Sequence, residues 1–383
     1  MNWKRLKLSE VCTLQNGRAY KKAELLSEGK YPVLRVGNLF TSNRWYYSNL
    51  DLDKNKYCKN GDLLYAWSAS FGAHIWQGEK SIYHYHIWRV DINEKLIDKK
   101  FLYYWFEFDK GNLKKESGTG TTMMHVSKGS MDKREISVPS LLEQQRIVTK
   151  LDAVSTEIDR GINQTQKLIE NSNLLFEEKI KQYFVNNITN SPIVKLSDIS
   201  EYFNGLTYSP KDVSEEGVIV LRSGNIQNGK MKYLDIKRVN KKIKDKLYVK
   251  PNDILICSRN GSQRLIGKSS LIGEIKEPMT FGTFMMILRS EHNEYLQWFI
   301  KSKLFKKQIL KGESTMINQI TRYMLDDISL PFPDKKNYTK IAKELGELDG
   351  HIRMLNKILN IKIDNFKALK SSILQQELLD KVA

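Results

Sequence analysis

The chain has 383 residues and a formal net charge of +18, with 40% hydrophobic and 28% charged residues. This length allows two or three domains with their own cores, and this composition is that of a folded protein rather than a disordered one. No apolar run approaches the roughly 18 residues that a membrane span needs, and the first residues lack the apolar stretch of a signal peptide, so we expect a cytoplasmic protein with no membrane partner.

Residues 1–141 are predicted to form a mixed domain of short strands and turns. Short apolar runs at 31–36, 61–67 and 82–90 alternate with Gly-Asn and Asn-Gly turn signals. The aromatic stretch at 98–108 predicts one helix within this domain.

Residues 142–190 are predicted to form one long helix. Ile147, Leu151, Val154 and Ile158 follow the 4-3-4 spacing of a coiled-coil seam. The predicted seam then contains the following residues: Gly161 or Ile162, Thr165, Leu168, Leu175, Lys179 or Ile180, and Tyr183. A helix of roughly 40 residues is about 60 Å long, and its narrow apolar stripe requires a partner helix.

Residues 191–333 repeat the first domain. Val33-Leu34-Arg35-Val36-Gly37-Asn38-Leu39 returns as Val220-Leu221-Arg222-Ser223-Gly224-Asn225-Ile226, and the stretch 7–20 returns at 195–208. Offsets of 187 and 188 residues are too long for a solenoid, whose repeats run roughly 20 to 50 residues. The sequence therefore predicts a duplicated domain, and two similar domains on one chain suggest that two different targets are read.

Residues 334–383 are predicted to form a second long helix. Its seam is expected at Ile341, Leu345, Leu348, Ile352, Leu355 and Leu359. Because each long helix follows its own globular domain, we predict that the two pair as an antiparallel coiled coil. The alternative is that each amphipathic helix packs independently on its own domain.

The excess positive charge is concentrated in the duplicated domains. Residues 1–140 and residues 188–333 each contain 23 Lys and Arg against 15 Asp and Glu, which gives +8 in each. A basic balance of this kind is typical of nucleic-acid binding. A generally lysine-rich proteome would produce the same balance, so charge alone leaves the partner open.

Loops of both domains carry side chains suited to DNA contact. In the first domain these are Trp67, Ser68, Ser70, Thr119, Thr121, Thr122 and His125. In the second domain they are Arg259, Asn260, Gln263, Arg264, Ser314, Thr315, Asn318 and Gln319. Arg pairs with guanine edges and Asn or Gln with adenine edges, whereas Lys244, in a lysine-rich stretch, is better suited to phosphate. Ordinary surface loops are the alternative.

Catalytic motifs are weak, so we predict no catalytic residue and no metal site. The stretch 261–269 resembles a phosphate-binding loop but has five residues between its glycines instead of four. A stand-alone metal-dependent nuclease using Asp253, Glu274 and Lys276 remains an alternative, as does a histidine cluster. The three histidines concerned are His74, His84 and His86, and the three cysteines have no CxxC spacing.

The ordered motifs together resemble the specificity subunits of type I restriction–modification systems. The resemblance rests on the duplication, the two Leu-Arg-x-Gly-Asn strands, the loop from Gly120 to Lys128, and the helix start Leu142-Glu143-Gln144-Gln145-Arg146-Ile147-Val148 after Pro139. It covers the whole chain. The second copy departs from it, because Lys335-Lys336-Asn337 replaces the Glu-Gln-Gln element.

This resemblance implies an α+β protein with two homologous mixed α/β target-recognition domains, separated by two long helices that form an antiparallel coiled coil. It implies that each domain reads half of a split site in double-stranded DNA, and that the helices set the unread spacer and dock two methyltransferase subunits. Catalysis would belong to partners, with S-adenosylmethionine in the methyltransferase and ATP and magnesium in restriction/translocase subunits. This chain would bind no cofactor. A coiled-coil scaffold that binds only proteins is the remaining alternative.

Overall fold

The computed structural model describes residues 3–68, 70–116, 126–185, 191–310 and 319–379. It contains two compact units, one of Met1–Thr165 with Ile361–Ala383 and one of Gln166–Asn360. Each long helix therefore contributes to both units. The division of the chain into four segments ending at 141, 190, 333 and 383 stays a prediction. None of the helices in the described ranges is long and apolar enough to span a bilayer.

The first unit is built from short strands and a few helices. Its strands are β1 (Lys4–Lys7), β2 (Cys12–Asn16), β3 (Tyr31–Leu34), β4 (Tyr47–Ser48), β5 (Tyr57–Cys58), β6 (Leu63–Ala66), β7 (Gly72–Ile75), β8 (Ser81–Tyr83), β9 (Ile87–Ile92) and β10 (Glu135–Val138). Its helices are α1 (Leu8–Val11), α2 (Val36–Phe40), α3 (Lys99–Glu116), α4 (Lys128–Asp132) and the first part of α5 (Leu141–Phe184). Strand β6 is buried along its whole length, as expected for a strand at the centre of a sheet.

The second unit repeats the main sheet elements of the first and has additional short strands. Its strands are β11 (Ile193–Lys195), β12 (Glu201–Asn204), β13 (Val213–Ser214), β14 (Val218–Leu221), β15 (Ile226–Gln227), β16 (Lys230–Met231), β17 (Lys237–Val239), β18 (Ile254–Cys257), β19 (Ser269–Leu271), β20 (Met279–Phe281), β21 (Met285–Arg289) and β22 (Ser329–Pro331). Its helices are α6 (Leu196–Ile199), α7 (Asn293–Lys301), α8 (Lys303–Ile309), α9 (Arg322–Asp326), the last part of α5 and the first part of α10 (Lys335–Leu378).

Strand pairing confirms the duplication. An antiparallel sheet has the order β2-β9-β6-β7 in the first unit and β12-β21-β18-β19 in the second. A second sheet in each unit contains one parallel pair, β3 with β8 and β14 with β20. The first and last strands of each domain also pair, β1 with β10 and β11 with β22. The two copies therefore share these three pairings, although the outer strands of the second sheet differ.

Both long helices contribute to the core of each unit. In the first unit, Ile147 and Leu151 of α5 and Leu374 and Leu378 of α10 are buried in the same cluster as the sheet residues. In the second unit, Phe184 of α5 and Leu345 of α10 occupy the corresponding core. Burying apolar side chains in this way holds each domain on the helix ends that flank it.

The long helices pair antiparallel within each unit. In the first unit, the Lys150 ammonium lies 2.7 Å from the Glu377 carboxylate, and Lys370 lies 2.9 Å from Asp159. In the second unit, the Ser172 hydroxyl donates to the Asn356 side chain over 2.8 Å, and Tyr183 donates to Glu344. In both units, later positions on α5 meet earlier positions on α10, so the pair is an antiparallel coiled coil.

The structure corrects part of the predicted seam. Among the predicted interface residues, Ile147, Leu151, Ile158, Leu345, Ile352 and Leu359 are buried, and Val154, Ile341 and Leu348 are half-buried. However, Leu355 is 44% exposed and Leu168 and Leu175 are 52% and 62% exposed. Asn356, Ile169 and Phe176 are more buried than these leucines. The buried positions keep the seven-residue spacing, as Thr165 and Ser172 do on α5 and Ile352 and Leu359 do on α10. The other seam position therefore lies one residue after each predicted leucine.

The Glu-Gln-Gln element at the start of α5 has a structural role. Gln144 is fully buried, and its amide donates to the carbonyls of Leu96 and Pro139, each over 2.9 Å. Its side-chain oxygen accepts the Asp98 N–H over 2.7 Å. One buried side chain thus satisfies three backbone groups and fixes the helix start against the segment that precedes α3.

Candidate nucleic-acid interface

The turn that follows β8 in the first unit and β20 in the second forms the centre of the candidate surface. In the first unit it is residues 84–86, where the His84 N–H donates to the Leu34 carbonyl over 2.8 Å. In the second unit it is residues 282–284, where the Gly282 N–H donates to the Leu221 carbonyl over 3.0 Å. The same sheet register therefore fixes both turns at equivalent places.

The Asn-Gly pair that ends β2 and β12 passes close behind this turn. A Cβ on Gly17 would lie 2.3 Å from the Tyr83 carbonyl oxygen, and one on Gly205 would lie 2.0 Å from the Gly282 carbonyl oxygen. These distances exclude any side chain at either glycine. The glycine of the Asn-Gly signal that both domains share is therefore required by the close approach of this turn.

The turns themselves present different side chains. Tyr85, which is 39% exposed, and His86 follow His84 in the first unit, whereas Thr283 and the 54% exposed Phe284 follow Gly282 in the second. The His84 ring lies 4.9 Å from the His86 ring. Burial, followed by the charges of His86 and Arg35, lowers the pKa of His84 to about 4. This imidazole is therefore neutral near pH 7.

The segment after the central strand lies beside the turn in both units. The Trp67 N–H donates to the His86 carbonyl over 3.1 Å, and the Ser258 N–H donates to the Phe284 carbonyl over 3.0 Å. Trp67 and Ser258 are thus equivalent. The Trp67 indole also donates to the Tyr85 carbonyl over 2.9 Å, and its ring lies 5.6 Å from the Tyr85 ring. The first unit therefore has an aromatic cluster where the second has a polar loop.

The polar loop 258–264 exposes positive charge. Arg259, Gln263 and Arg264 are exposed, and no carboxylate among the described residues lies within 4 Å of either guanidinium. Asn260 is half-buried, because its side chain accepts the Ser262 N–H over 2.9 Å and donates to Ser223 over 3.4 Å. The loop thus offers two arginines and one amide, while Asn260 shapes it.

A cleft of about 710 Å³ adjoins this loop in the second unit. Arg259, Phe284, Gln319, Arg322 and Tyr323 are among its lining residues. Gln319 pairs with Arg259 in an isolated antiparallel bridge, and Tyr323 is 83% exposed. Guanidinium, amide and exposed aromatic groups in one cleft can donate to base edges or phosphates and stack on nucleotides.

The predicted contact residues differ in their exposure to solvent. Ser70 is exposed, Trp67 is half-buried, and Lys244 is exposed in the segment before β18. Ser68 is only 3% exposed, so its side chain has almost no surface for DNA, which corrects that prediction. Several others lie outside the described residues: Thr119, Thr121, Thr122, His125, Ser314, Thr315 and Asn318.

The sequence prediction missed residues that the structure brings to this surface. Tyr85, Phe284, Arg322 and Tyr323 are exposed here. The register of the duplication could have indicated the first two, because both follow the strand that aligns at 81–83 and 279–281. No sequence signal marks Tyr323, since its neighbourhood is created by the fold.

The nuclease alternative is not supported by the geometry. Asp253 is 1% exposed, and both its oxygens are bound by the Arg289 guanidinium, at 2.8 and 2.6 Å. It also accepts the Lys250 N–H over 2.7 Å. Within the described ranges, no group of three or more His, Cys, Asp and Glu side chains is arranged to hold a metal ion. Asp253 is thus part of a structural ion pair.

A family model described as the type I restriction modification DNA specificity domain matches the chain twice, at residues 1–170 and 190–363. Among curated proteins, the chain is 18% identical over 418 residues to the type I restriction enzyme EcoBI specificity subunit of Escherichia coli, covering 97% of this chain and 85% of that protein. It is 23% identical over 359 residues to the MjaVIII specificity subunit of Methanocaldococcus jannaschii, covering 86% and 82%.

A solved structure gives the same result for the fold. This chain superposes with a TM-score of 0.74 on one chain from a structural study of the complex assembly and conformational transition of the type I R-M system. The sequence identity is 16%, and the superposition covers 99% of this chain and 98% of that chain. Because the family model covers most of the chain, this protein belongs to the family of type I restriction–modification DNA specificity proteins.

Proposed function

We propose that this chain is the DNA sequence-recognition subunit of a type I restriction–modification complex, with each duplicated domain reading one half of a split site. The supporting observation is that equivalent positions carry different chemistry. Trp67 and Tyr85 in one unit correspond to Ser258 and Thr283 in the other, on turns of the same register. Direct readout depends on which donors, acceptors and apolar groups face the base edges, so two such surfaces read two different sequences.

The partners proposed for the chain are double-stranded DNA, two methyltransferase subunits and restriction/translocase subunits. The relatives are called specificity subunits of restriction enzymes, and the similar solved chain belongs to a type I R-M assembly. The net charge of +8 on each of the ranges 1–140 and 188–333 supports binding to phosphates. The antiparallel helix pair is proposed to set the unread spacer and to dock the methyltransferase subunits.

The chain is proposed to contribute recognition without catalysis. S-adenosylmethionine, ATP and magnesium are expected in the partner subunits, and this chain is expected to bind none of them. Cys12, Cys58 and Cys257 are free and buried thiols, which suits the reducing cytoplasm, where we place the protein.

Base-modification sequencing of cells that express this chain with its methyltransferase tests the proposal. We expect one split motif with two specific halves around unread bases. Replacing residues 1–140 with those of a relative should change one half only. A motif that changed in both halves, or in neither, would contradict the two-domain assignment. The purified chain alone should neither methylate nor cleave DNA.

A further inference from the structure

The Leu-Arg-x-Gly-Asn motif builds the same turn in both units. In the first unit, the Asn38 side-chain oxygen accepts the Arg35 N–H over 3.2 Å. Its amide donates to the carbonyls of Ser42 and Arg44, over 3.3 and 2.9 Å. Asn38 therefore holds the residues on both sides of the turn.

Asn225 makes the equivalent bonds in the second unit. Its side-chain oxygen accepts the Arg222 N–H over 2.9 Å, and its amide donates to the carbonyls of Lys232 and Leu234, each over 3.1 Å. The Asn of the motif is thus explained by folding, because it satisfies three backbone groups in each copy. A consequence is that Arg35 and Arg222 are held in the same way at the end of β3 and β14.

The two arginines have no intramolecular contact in common. The Arg35 guanidinium stacks over the Tyr46 ring at 4.4 Å and has no hydrogen-bond acceptor among the described residues. The Arg222 Nη2 donates to the Asp235 carbonyl and carboxylate, over 2.7 and 2.9 Å. In both, the buried Nε has no partner in the described part of the chain. A guanidinium carries five N–H donors. The contacts within the protein therefore do not explain why both copies have Arg at this position.

The glycine of the motif, Gly37 or Gly224, is also not explained by the backbone conformation of the fold. Neither Gly37 nor Gly224 has a positive φ, and a Cβ on Gly224 would meet nothing within 4 Å. On Gly37 it would lie 3.3 Å from the Ser42 Cβ. The fold does not require glycine at position 224, and a glycine lets another molecule approach the backbone closely.

The turn lies on the candidate interface of its own unit. In the second unit, Ser223 accepts the Asn260 amide over 3.4 Å through its hydroxyl and the Lys268 ammonium over 3.2 Å through its carbonyl. Arg222 and Phe284 line one cleft of about 600 Å³. In the first unit, Arg35 is close enough to His84 to contribute to its lowered pKa.

We propose that Arg35 and Arg222 each bind a phosphate of the DNA backbone, one in each half-site, as a sequence-independent anchor common to both domains. This inference rests on the proposed function. Domains that read different bases can share a contact only to a feature that every sequence has, and the phosphate is that feature. The planar guanidinium matches two phosphate oxygens, and the open glycine beside it gives the backbone room to approach.

The test compares Arg35→Ala and Arg222→Ala with the wild type, each assembled with the methyltransferase. Two probes are used: a duplex with the motif that the wild type methylates, and a scrambled duplex of the same length. We expect each variant to weaken binding to both duplexes by the same factor, about tenfold. The slope of log affinity against log salt should fall by about one, and the methylated motif should stay unchanged.

Arg238→Ala is the matched control, because it removes the same charge from β17, the strand beside β14, where Arg238 pairs with Glu277 at 2.7 Å. It should change the affinity for both duplexes less than twofold. Replacing single phosphates with uncharged methylphosphonates should identify one position per half-site that weakens the wild type and leaves the matching Arg variant unaffected.

Three results would overturn the inference: a relaxed base in the motif, failure to assemble with the methyltransferase without DNA, or affinities equal to the wild type. The first would indicate base reading and the second a protein-docking residue. If the wild type itself failed to distinguish the two duplexes, the proposed function would be wrong, which separates the two failures.

Discussion

Arg259 and Arg264 are the clearest base-contact candidates at the scale of single residues. Both are exposed, lie on the loop that follows β18, and have no carboxylate within 4 Å among the described residues. The Arg259 guanidinium also lies 5.7 Å from the Phe284 ring. An unneutralised guanidinium on a short loop can form the paired bonds to guanine O6 and N7.

Replacing Arg259 or Arg264 by Ala should cost about 1–3 kcal/mol at the target site and relax one base position in the second half-site. Lys244→Ala should instead weaken binding to all DNA alike and lower the salt slope by about one. Binding of each variant to target and scrambled duplexes across a salt series measures both effects. A uniform loss from the Arg variants would assign this loop to phosphate contact and move base reading to Ser314, Thr315, Asn318 and Gln319.

His84 should make the protein sensitive to acid. Burial, with the charges of His86 and Arg35, lowers its folded pKa from 6.5 to about 4, so the unfolded chain takes up this proton first. The stability that neutral His84 contributes is complete above pH 6.5 and is lost as the pH falls towards 4, by roughly 1–3 kcal/mol. Between pH 7 and 4.5, the unfolding free energy of the wild type should fall more steeply than that of His84→Asn. Parallel curves would contradict the prediction.

At the scale of elements, the long helices contain glycines in contrasting environments. In the first unit, a Cβ on Gly161 of α5 would lie 2.7 Å from the Phe366 ring of α10. In the second unit, a Cβ on Gly350 of α10 would meet nothing within 4 Å. A side chain at Gly161 would therefore displace the Phe366 ring, whereas Gly350 only lowers helix propensity.

Gly161→Ala and Gly350→Ala should shift stability in opposite directions. The first forces the Phe366 ring to move and should cost about 1–3 kcal/mol, as overpacking does. The second should stabilise the protein by about 1 kcal/mol, because Ala favours a helix more than Gly. Thermal unfolding of both variants beside the wild type measures the difference. Stabilisation by both changes would show that α5 and α10 do not pack closely at Gly161.

At the scale of the whole molecule, the length of the helix pair should determine the length of the unread spacer. Inserting one heptad into both α5 and α10 lengthens each helix by about 10 Å, roughly three base-pair steps. We expect the methylated motif to keep both specific halves and to gain unread bases between them. A methylome with the original spacer would eliminate the helices as the elements that set it.

The pattern of residues along the chain was enough to predict the architecture. Helical periodicity and β-turn signals are local, so they predicted the long helices and the strand-rich domains from neighbouring residues. The duplication was predicted from motifs that recur 187 and 188 residues later. The motifs were sufficient for the family because Gly17, Gly205, Gln144, Asn38 and Asn225 each meet a requirement of the fold. A short motif whose residues build one turn or one helix start can be recognised from the sequence without a structure.

Which residues share a surface became known from the three-dimensional fold. The candidate interface of the second unit combines segments near 222, 258, 283 and 319, which sheet pairing brings together although they are far apart in sequence. It buried Ser68, tied Asn260 into its own loop and exposed Tyr323. It also placed Asn356 instead of Leu355 in the seam, where the Asn356 side chain accepts a hydrogen bond from the Ser172 hydroxyl. Exposure depends on contacts between distant segments, and such contacts have no local signature in the sequence.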